Sequence, residues 1–229
     1  MRNLSLGSRV ALIAIFSSIV TVAVLLAIAY NQLVRDFENV LTQRQLLETE
    51  ANANRVNQDL QVRLQALETF AALLTDGEDR LPLPRIESLV GRQPSLQSYF
   101  QEGLVVFDDN GVAIAENVHV PGRLGTSYAD RQHFRTAFSS RSPVISRPII
   151  GRTTGLPLLS FLAPIESDDG DLLGFAGGII NLAEASIIPM EDANRPDTVF
   201  KVLDTDHFIQ VDALSGTNIM PDLPAPVKT

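Results

Sequence analysis

The sequence predicts an α+β protein carried on an N-terminal membrane helix, and three observations lead there. A run without charge, Val10 to Tyr30, lies near the start. A stretch without proline or glycine, Asn31 to Thr75, follows it. From Leu104 onward the apolar pattern changes to short runs broken by Asp, Asn and Gly, the mark of paired strands.

The charge-free run is long enough to cross a hydrocarbon core of roughly 30 Å as a helix. Arg2 and Arg9 precede it, and Arg35, Asp36 and Glu38 follow with mixed sign. The positive-inside rule then sets the N-terminus in the cytoplasm and everything after Tyr30 outside. A cleaved signal peptide is the competing reading, since Ala27-Ile-Ala29 has the A-x-A form. Its apolar core is normally about 7–15 residues, and no polar segment separates the run from Ala29, so an anchor is the better reading.

Bulk composition narrows the function. The chain has 229 residues, 45% of them hydrophobic, with a net charge of −9. The acidic balance argues against nucleic acid as a partner. With no cysteine there is neither a disulfide framework nor a thiolate metal site. His119, His133 and His207 form no HxxxH or HExxH spacing, so no metal is expected.

Asn31 to Thr75 reads as one long stalk helix, rich in Gln, Glu, Leu, Arg and Ala. Leu33, Phe37, Val40, Leu47 and Ala51 make an apolar seam, which resumes out of phase at Leu60, Leu64, Leu67, Ala71 and Leu74. Such a seam suits packing on the chain's own sheet or pairing with a second copy, a homodimer. Asp76 to Pro84, with one glycine and two prolines, ends the helix, and short helical pieces reach Glu102.

The strands come next. Asp109-Asn-Gly111 is a hairpin turn between two of them. Tyr128 to Ser139 reads as a short helix capped by Ser127 or Asp130. Strands at Val144–Ile150, Leu156–Ile165 and Leu172–Leu182 follow, joined by turns at Thr153-Thr-Gly155 and Ser167-Asp-Asp-Gly170. Gly174, Gly177 and Gly178 inside the last strand mark a close backbone approach or a bulge. Val106 to Ile114 is echoed by Val202 to Gln210, both strand, Asp-rich turn, strand, so a second sheet module begins near Thr198. The chain divides into an N-terminal segment (1–9), a transmembrane helix (10–30), a stalk helix (31–75), a sheet module (76–190) and the incomplete start of another (191–229).

The ordered series Leu104–Ala115, Gly125–Phe134, Ile145–Ile149, Pro157–Ile165 and Gly174–Leu182 resembles the double Cache family of extracytoplasmic sensor domains. Its diagnostic piece is Tyr128-Ala-Asp-Arg-Gln-His-Phe134, similar to that family's S-x-R-x-[YW]-[YF] region. The resemblance implies two PAS-like modules along the long helix, with a small ligand in the distal one, and a periplasmic domain anchored at a bacterial inner membrane. It also implies that a C-terminal part is missing. The ending Ile219 to Pro226 is most like sensors attached to diguanylate cyclases. Amino-acid-binding members carry Arg-x-Trp-Tyr and a later Asp for the ligand amine. Here those positions read His133-Phe134 and Ile179, which turns the expectation toward a carboxylate or another small anion.

The residues themselves agree with a pocket. A helix N-terminus favours anions, and Arg131 beside it can grip a carboxylate with two N–H groups. Arg147 and Arg152 flank the next strand. Ser160 and Phe161 point to opposite faces, so at most one faces the pocket. Tyr128, His133 and Phe134 supply aromatic walls and a polar edge. Asp130 completes the ligand-binding set. Each has a plainer reading: Arg131 paired with Asp130, Arg147 and Arg152 as solvated strand ends, and Tyr128, His133 and Phe134 as packing.

No catalytic constellation is present, because there is no Cys nucleophile and no G-x-S-x-G. The acidic turn Ser167–Asp171 lacks an EF-hand's final Glu. The expected function is small-molecule sensing in transmembrane signalling, with no enzyme activity and no cofactor. The alternative is a membrane-tethered solute-binding or structural protein that sends no signal.

Overall fold

The computed structural model describes residues 6–182, 201–203 and 209–212. They form an α+β fold in two units, Met1–Ala51 and Asn52–Thr229. One helix, α1 (Leu6–Ala71), contains both the charge-free run and most of the expected stalk. In the first unit, Ile15–Phe37 has a mean hydropathy of 1.8 and the length to cross a membrane, the one such helix among the described residues. Its large apolar side chains, Phe16, Leu26 and Phe37 among them, are exposed, as suits a surface facing lipid.

In the second unit α1 lies on its own sheet through Leu60, Leu64, Leu67 and Ala71. The seam at Leu33, Phe37, Val40 and Leu47, by contrast, is exposed. The helix stops at Ala71, short of the expected Thr75, and a 3-10 turn at Ala72–Leu74 finishes the buried stripe. Thr75 is extended; its hydroxyl donates to Asp79 O and accepts from Gly77 N–H, while Asp76 Oδ1 accepts from the N–H groups of Glu78 and Asp79. These local bonds replace another helical turn. Two short helices follow, α2 (Leu83–Gly91) and α3 (Pro94–Tyr99), each with a proline in its first turn, where the missing N–H costs nothing.

The sheet is antiparallel throughout. Its strands are β1 (Gly103–Asp108), β2 (Ala113–Glu116), β3 (Val144–Ile145), β4 (Ile149–Ile150), β5 (Pro157–Glu166) and β6 (Leu172–Asn181). The order is β2-β1-β6-β5-β3, with β4 also on β5, so β6 is central. At the β1–β2 turn Asp108 Oδ1 accepts from the N–H groups of Asn110 and Val112, and Gly111 takes a φ of 72° that other residues avoid. Alternation divides the sheet into two buried faces. Leu104, Val106, Phe161, Ala163 and Ala176 meet α1, α2 and α3. Val105, Phe107, Leu162 and Phe175 meet α4 (Gln132–Ser140) through Phe134 and Ala137.

Three expectations need correction. The single strand at Val144–Ile150 is two short ones, β3 and β4. Between them the Ser146 N–H donates to Ser160 O, and Ser146 Oγ, rather than a backbone carbonyl, accepts from the Ser160 N–H. Pro148 then offers no donor at all. The short helix begins at Gln132, not Tyr128, with Arg131 at the N-cap and no side-chain cap from Ser127 or Asp130. Finally, the long strand expected to reach Leu182 ends at Asn181. The echo at Val202–Gln210 does form an antiparallel pair, β7 (Lys201–Leu203) with β8 (Ile209–Asp212). The expected module boundary near Thr198 and the tail from Ala213 lie outside the described residues.

Gly177 and Gly178 explain how β6 can be central. A Cβ on Gly177 would sit 2.6 Å from the Phe107 ring, and one on Gly178 2.5 Å from the Phe100 ring on the other face. Gly178→Ala is therefore expected to destabilise the fold by about 1–3 kcal/mol through overpacking. Urea unfolding of the full chain in detergent measures this, and an unchanged midpoint would show that Phe100 can yield.

Candidate ligand pocket

The face of the sheet that meets α4 carries a pocket. Val105 and Phe107 of β1, Leu158 and Ser160 of β5, and Ile179 of β6 form its base. Tyr128, Arg131, His133 and Phe134 come from α4 and the turn before it, and Gly151, Arg152, Thr153 and Thr154 from the loop between β4 and β5. Arg123 enters from the loop after β2. The space, open mouth included, is about 490 Å³.

Six of the expected residues, Tyr128, Arg131, His133, Phe134, Arg152 and Ser160, line this one space. Ser160 faces it while Phe161 lies in the opposite core, as strand alternation requires. Phe134 is both wall and core: its ring packs edge-on to Phe107 at 4.8 Å and stacks with Tyr128 at 6.1 Å. Arg147 lies instead on an adjoining cavity that shares Arg131 and His133.

Asp130 does not line the pocket, and its partner is not the expected Arg131. Arg152 Nη2 lies 2.5 Å from Asp130 Oδ2, and Nη1 donates to Ser127 O at 2.7 Å. The Arg152 guanidinium also sits 5.5 Å from the centre of the Tyr128 ring. The hydrogen bond from Arg152 holds the Asp130 carboxyl below its usual range. Arg152 is thus a clasp between two loops. Arg131 makes a long bond, 3.4 Å, from Nη2 to Ile150 O, and among the described residues it pairs with no carboxylate. The α4 N-terminus beside it has no side-chain cap.

Burial pushes the His133 imidazole down to about 4, and the neighbouring Arg131 adds to the effect. It is therefore neutral at pH 7. No lining residue is an Asp or a Glu, and Ile179 makes the wall apolar where the resemblance would look for a carboxylate. The pocket thus combines three arginines, a neutral histidine and aromatic walls.

Sequence reasoning missed Arg123. It sits in an irregular loop seven positions after its partner Glu116, with no periodicity to reveal that both side chains are buried. The Pro121-Gly122 turn is the one local signal, and it marks a bend rather than an inward arginine.

No protein-family model and no curated protein matches the chain. Solved structures do match. The ligand-binding domain of the Pseudomonas aeruginosa PAO1 amino acid chemoreceptor PctB, in complex with L-Gln, superposes with a TM-score of 0.59. That match covers 76% of this chain and 65% of that one at 20% identity. The chain shares the fold of that ligand-binding domain. The ligand-binding domain of the Pseudomonas fluorescens chemoreceptor CtaA with L-isoleucine gives 0.56, covering 71% of this chain and 64% of that one at 22% identity. The chain spans just under two thirds of the length of these domains.

The buried imidazole sets a pH dependence. Its folded pKa is about 4, and the unfolded value is about 6.5, so the unfolded chain takes up the proton first. Stability from this group is complete above about pH 6.5 and is lost as the pH falls toward 4, by about 3 kcal/mol. Comparing urea unfolding at pH 7 and pH 4, His133→Gln is expected to lose about 3 kcal/mol less than the wild type. Equal losses would remove His133 as a source.

Proposed function

We propose that this chain is the extracytoplasmic sensing part of a membrane receptor, and that its pocket takes a small organic carboxylate. The observation that carries the reading is the charge of the lining: Arg123, Arg131 and Arg152 with no acidic residue, and Arg131 without a carboxylate partner. A desolvated guanidinium facing an apolar space favours a planar anion it can grip with two parallel hydrogen bonds.

The amino acids bound by the PctB and CtaA domains favour a second reading, an α-amino acid ligand. Such a ligand needs an acceptor for its ammonium group as well as a donor for its carboxylate. With Ile179 and no acidic group in the lining, the ammonium would be buried without a counter-charge. The carboxylate without an ammonium is therefore the better fit.

In this proposal the N-terminus is cytoplasmic and the sheet lies outside. Ligand binds one arrangement of the pocket better than another and shifts the population, and α1 reports the shift toward a cytoplasmic output. The exposed seam at Leu33, Phe37, Val40 and Leu47 suits pairing of two copies during that step. A tethered protein that only captures a solute would bind equally well but send no signal.

Thermal unfolding of the full chain in detergent, with acetate, propionate, pyruvate, benzoate, L-alanine and putrescine as probes, tests the pocket. A ligand at 100 times its dissociation constant adds about 2.7 kcal/mol of stability. The expected result is stabilisation by a carboxylate that Arg131→Ala abolishes without lowering the unliganded melting point. Stabilisation by L-alanine but by none of the simple carboxylates would establish the amino-acid reading instead.

A further inference from the structure

Arg123 is among the most buried charged side chains described, and its partners do not satisfy it. Its side chain and that of Glu116 are each 3% exposed. Nη1 lies 3.4 Å from Glu116 Oε2 and donates to Val118 O, also at 3.4 Å. Charged hydrogen bonds of this kind normally run to about 2.7–2.9 Å. Glu116 Oε2 is buried with no hydrogen-bond partner, while Oε1 accepts from the Val120 N–H and contacts His119 Nδ1. Among the described residues, both contacts of Arg123 use Nη1, so Nε and Nη2 have no protein acceptor; unlike Glu116 Oε2 they are not sealed from solvent. The same residue lines the pocket.

A guanidinium out of water is costly unless its charge is matched and its donors are filled. Glu116 is close enough to match the charge and too distant to fill the donors. Burial accordingly pulls the Arg123 pKa below its usual value, partly offset by Glu116. The arrangement is that of a cation with two donors open to the pocket side and a loosely held counter-charge behind it.

We propose that Arg123 is the inner anchor of the pocket, binding the ligand's carboxylate through Nε and Nη2, and that Glu116 lowers the affinity from behind. This rests on the reading of the pocket as a carboxylate site. The Nε–Nη2 edge offers two parallel donors to one carboxylate, while Nη1 stays with Glu116. The Glu116 charge repels the incoming anion across a poorly screened distance, so it sets how much anion is needed to fill the pocket. The body of the ligand then lies against Phe107, Phe134 and Leu158.

A role in structure alone and a role in binding predict opposite signs for one substitution. Glu116→Gln removes the opposing charge and is expected to tighten binding of the carboxylate by about tenfold, the scale of one charged hydrogen bond. If the pair only braced the loop, the same change would loosen Arg123 and weaken binding. The probes are acetate, propionate, pyruvate and benzoate, titrated calorimetrically into the full chain in detergent. The double variant Glu116→Gln with Arg123→Met removes both charges and avoids an orphaned carboxylate. It is expected to bind at least about a hundredfold more weakly than Glu116→Gln alone. A folded double variant that binds as well as Glu116→Gln, or a Glu116→Gln variant that binds more weakly than wild type, overturns the inner anchor and leaves the carboxylate pocket standing. If the double variant does not fold, the sign of the single change decides. A folded wild type that binds none of the four overturns the pocket reading itself, and the anchor with it.

Discussion

The sheet depends on one strand being buried on both edges and both faces at once. β6 hydrogen-bonds to β1 on one side and β5 on the other, and both of its faces are covered by core. The coverage is possible because two adjacent residues have no side chain. Phe107 fills the space over Gly177 and Phe100 the space over Gly178, so one aromatic ring reaches the backbone from each side. The long stalk helix owes its seat to the Phe100 side, and the pocket owes its base to the Phe107 side. A thinner strand at that point lets both layers approach the sheet closely.

The pocket then inherits its chemistry from residues that have another duty. Phe134 and Phe107 hold α4 to the sheet and also wall the cavity. His133 is buried as part of that packing, and burial is what keeps it neutral. Ser160 is on the lining because its strand neighbour Phe161 must face the other core. The arginines differ in kind. Arg152 is spent on joining loops, Arg131 stands at an uncapped helix end, and Arg123 is buried with a partner that leaves donors over.

Much of this was legible in the sequence where local chemistry and tertiary outcome agree. Asp109-Asn-Gly111 is a turn in any context, and its flanking strands followed from it. The paired strands β5 and β6 were legible from their apolar runs and the turn between them, whereas their burial on both faces was not. What was hidden depends on distant partners. β3 and β4 separate because Ser146 finds Ser160, fourteen residues away. The start of α4 shifted because Ser127 and Asp130, both good caps by type, bind the Ala129 N–H and Arg152 instead. Arg131 and His133 were placed by a resemblance in a short motif. Arg123 had no such motif, and only the folded loop shows that it turns inward.

The clasp formed by Arg152 has a consequence of another kind. It joins the loop at 151–155 to the turn at 127–130 through an ion pair whose side chains are 33% and 65% exposed. An exposed pair is weakened by dissolved ions, with a screening length of about 30 Å at 0.01 M salt and about 8 Å at 0.15 M. The bond to Ser127 O and the contact with the Tyr128 ring are far less affected by salt. The two loops are therefore hinged by one contact that responds to salinity and two that do not. The looseness between those two loops becomes a property of the medium as well as of the protein.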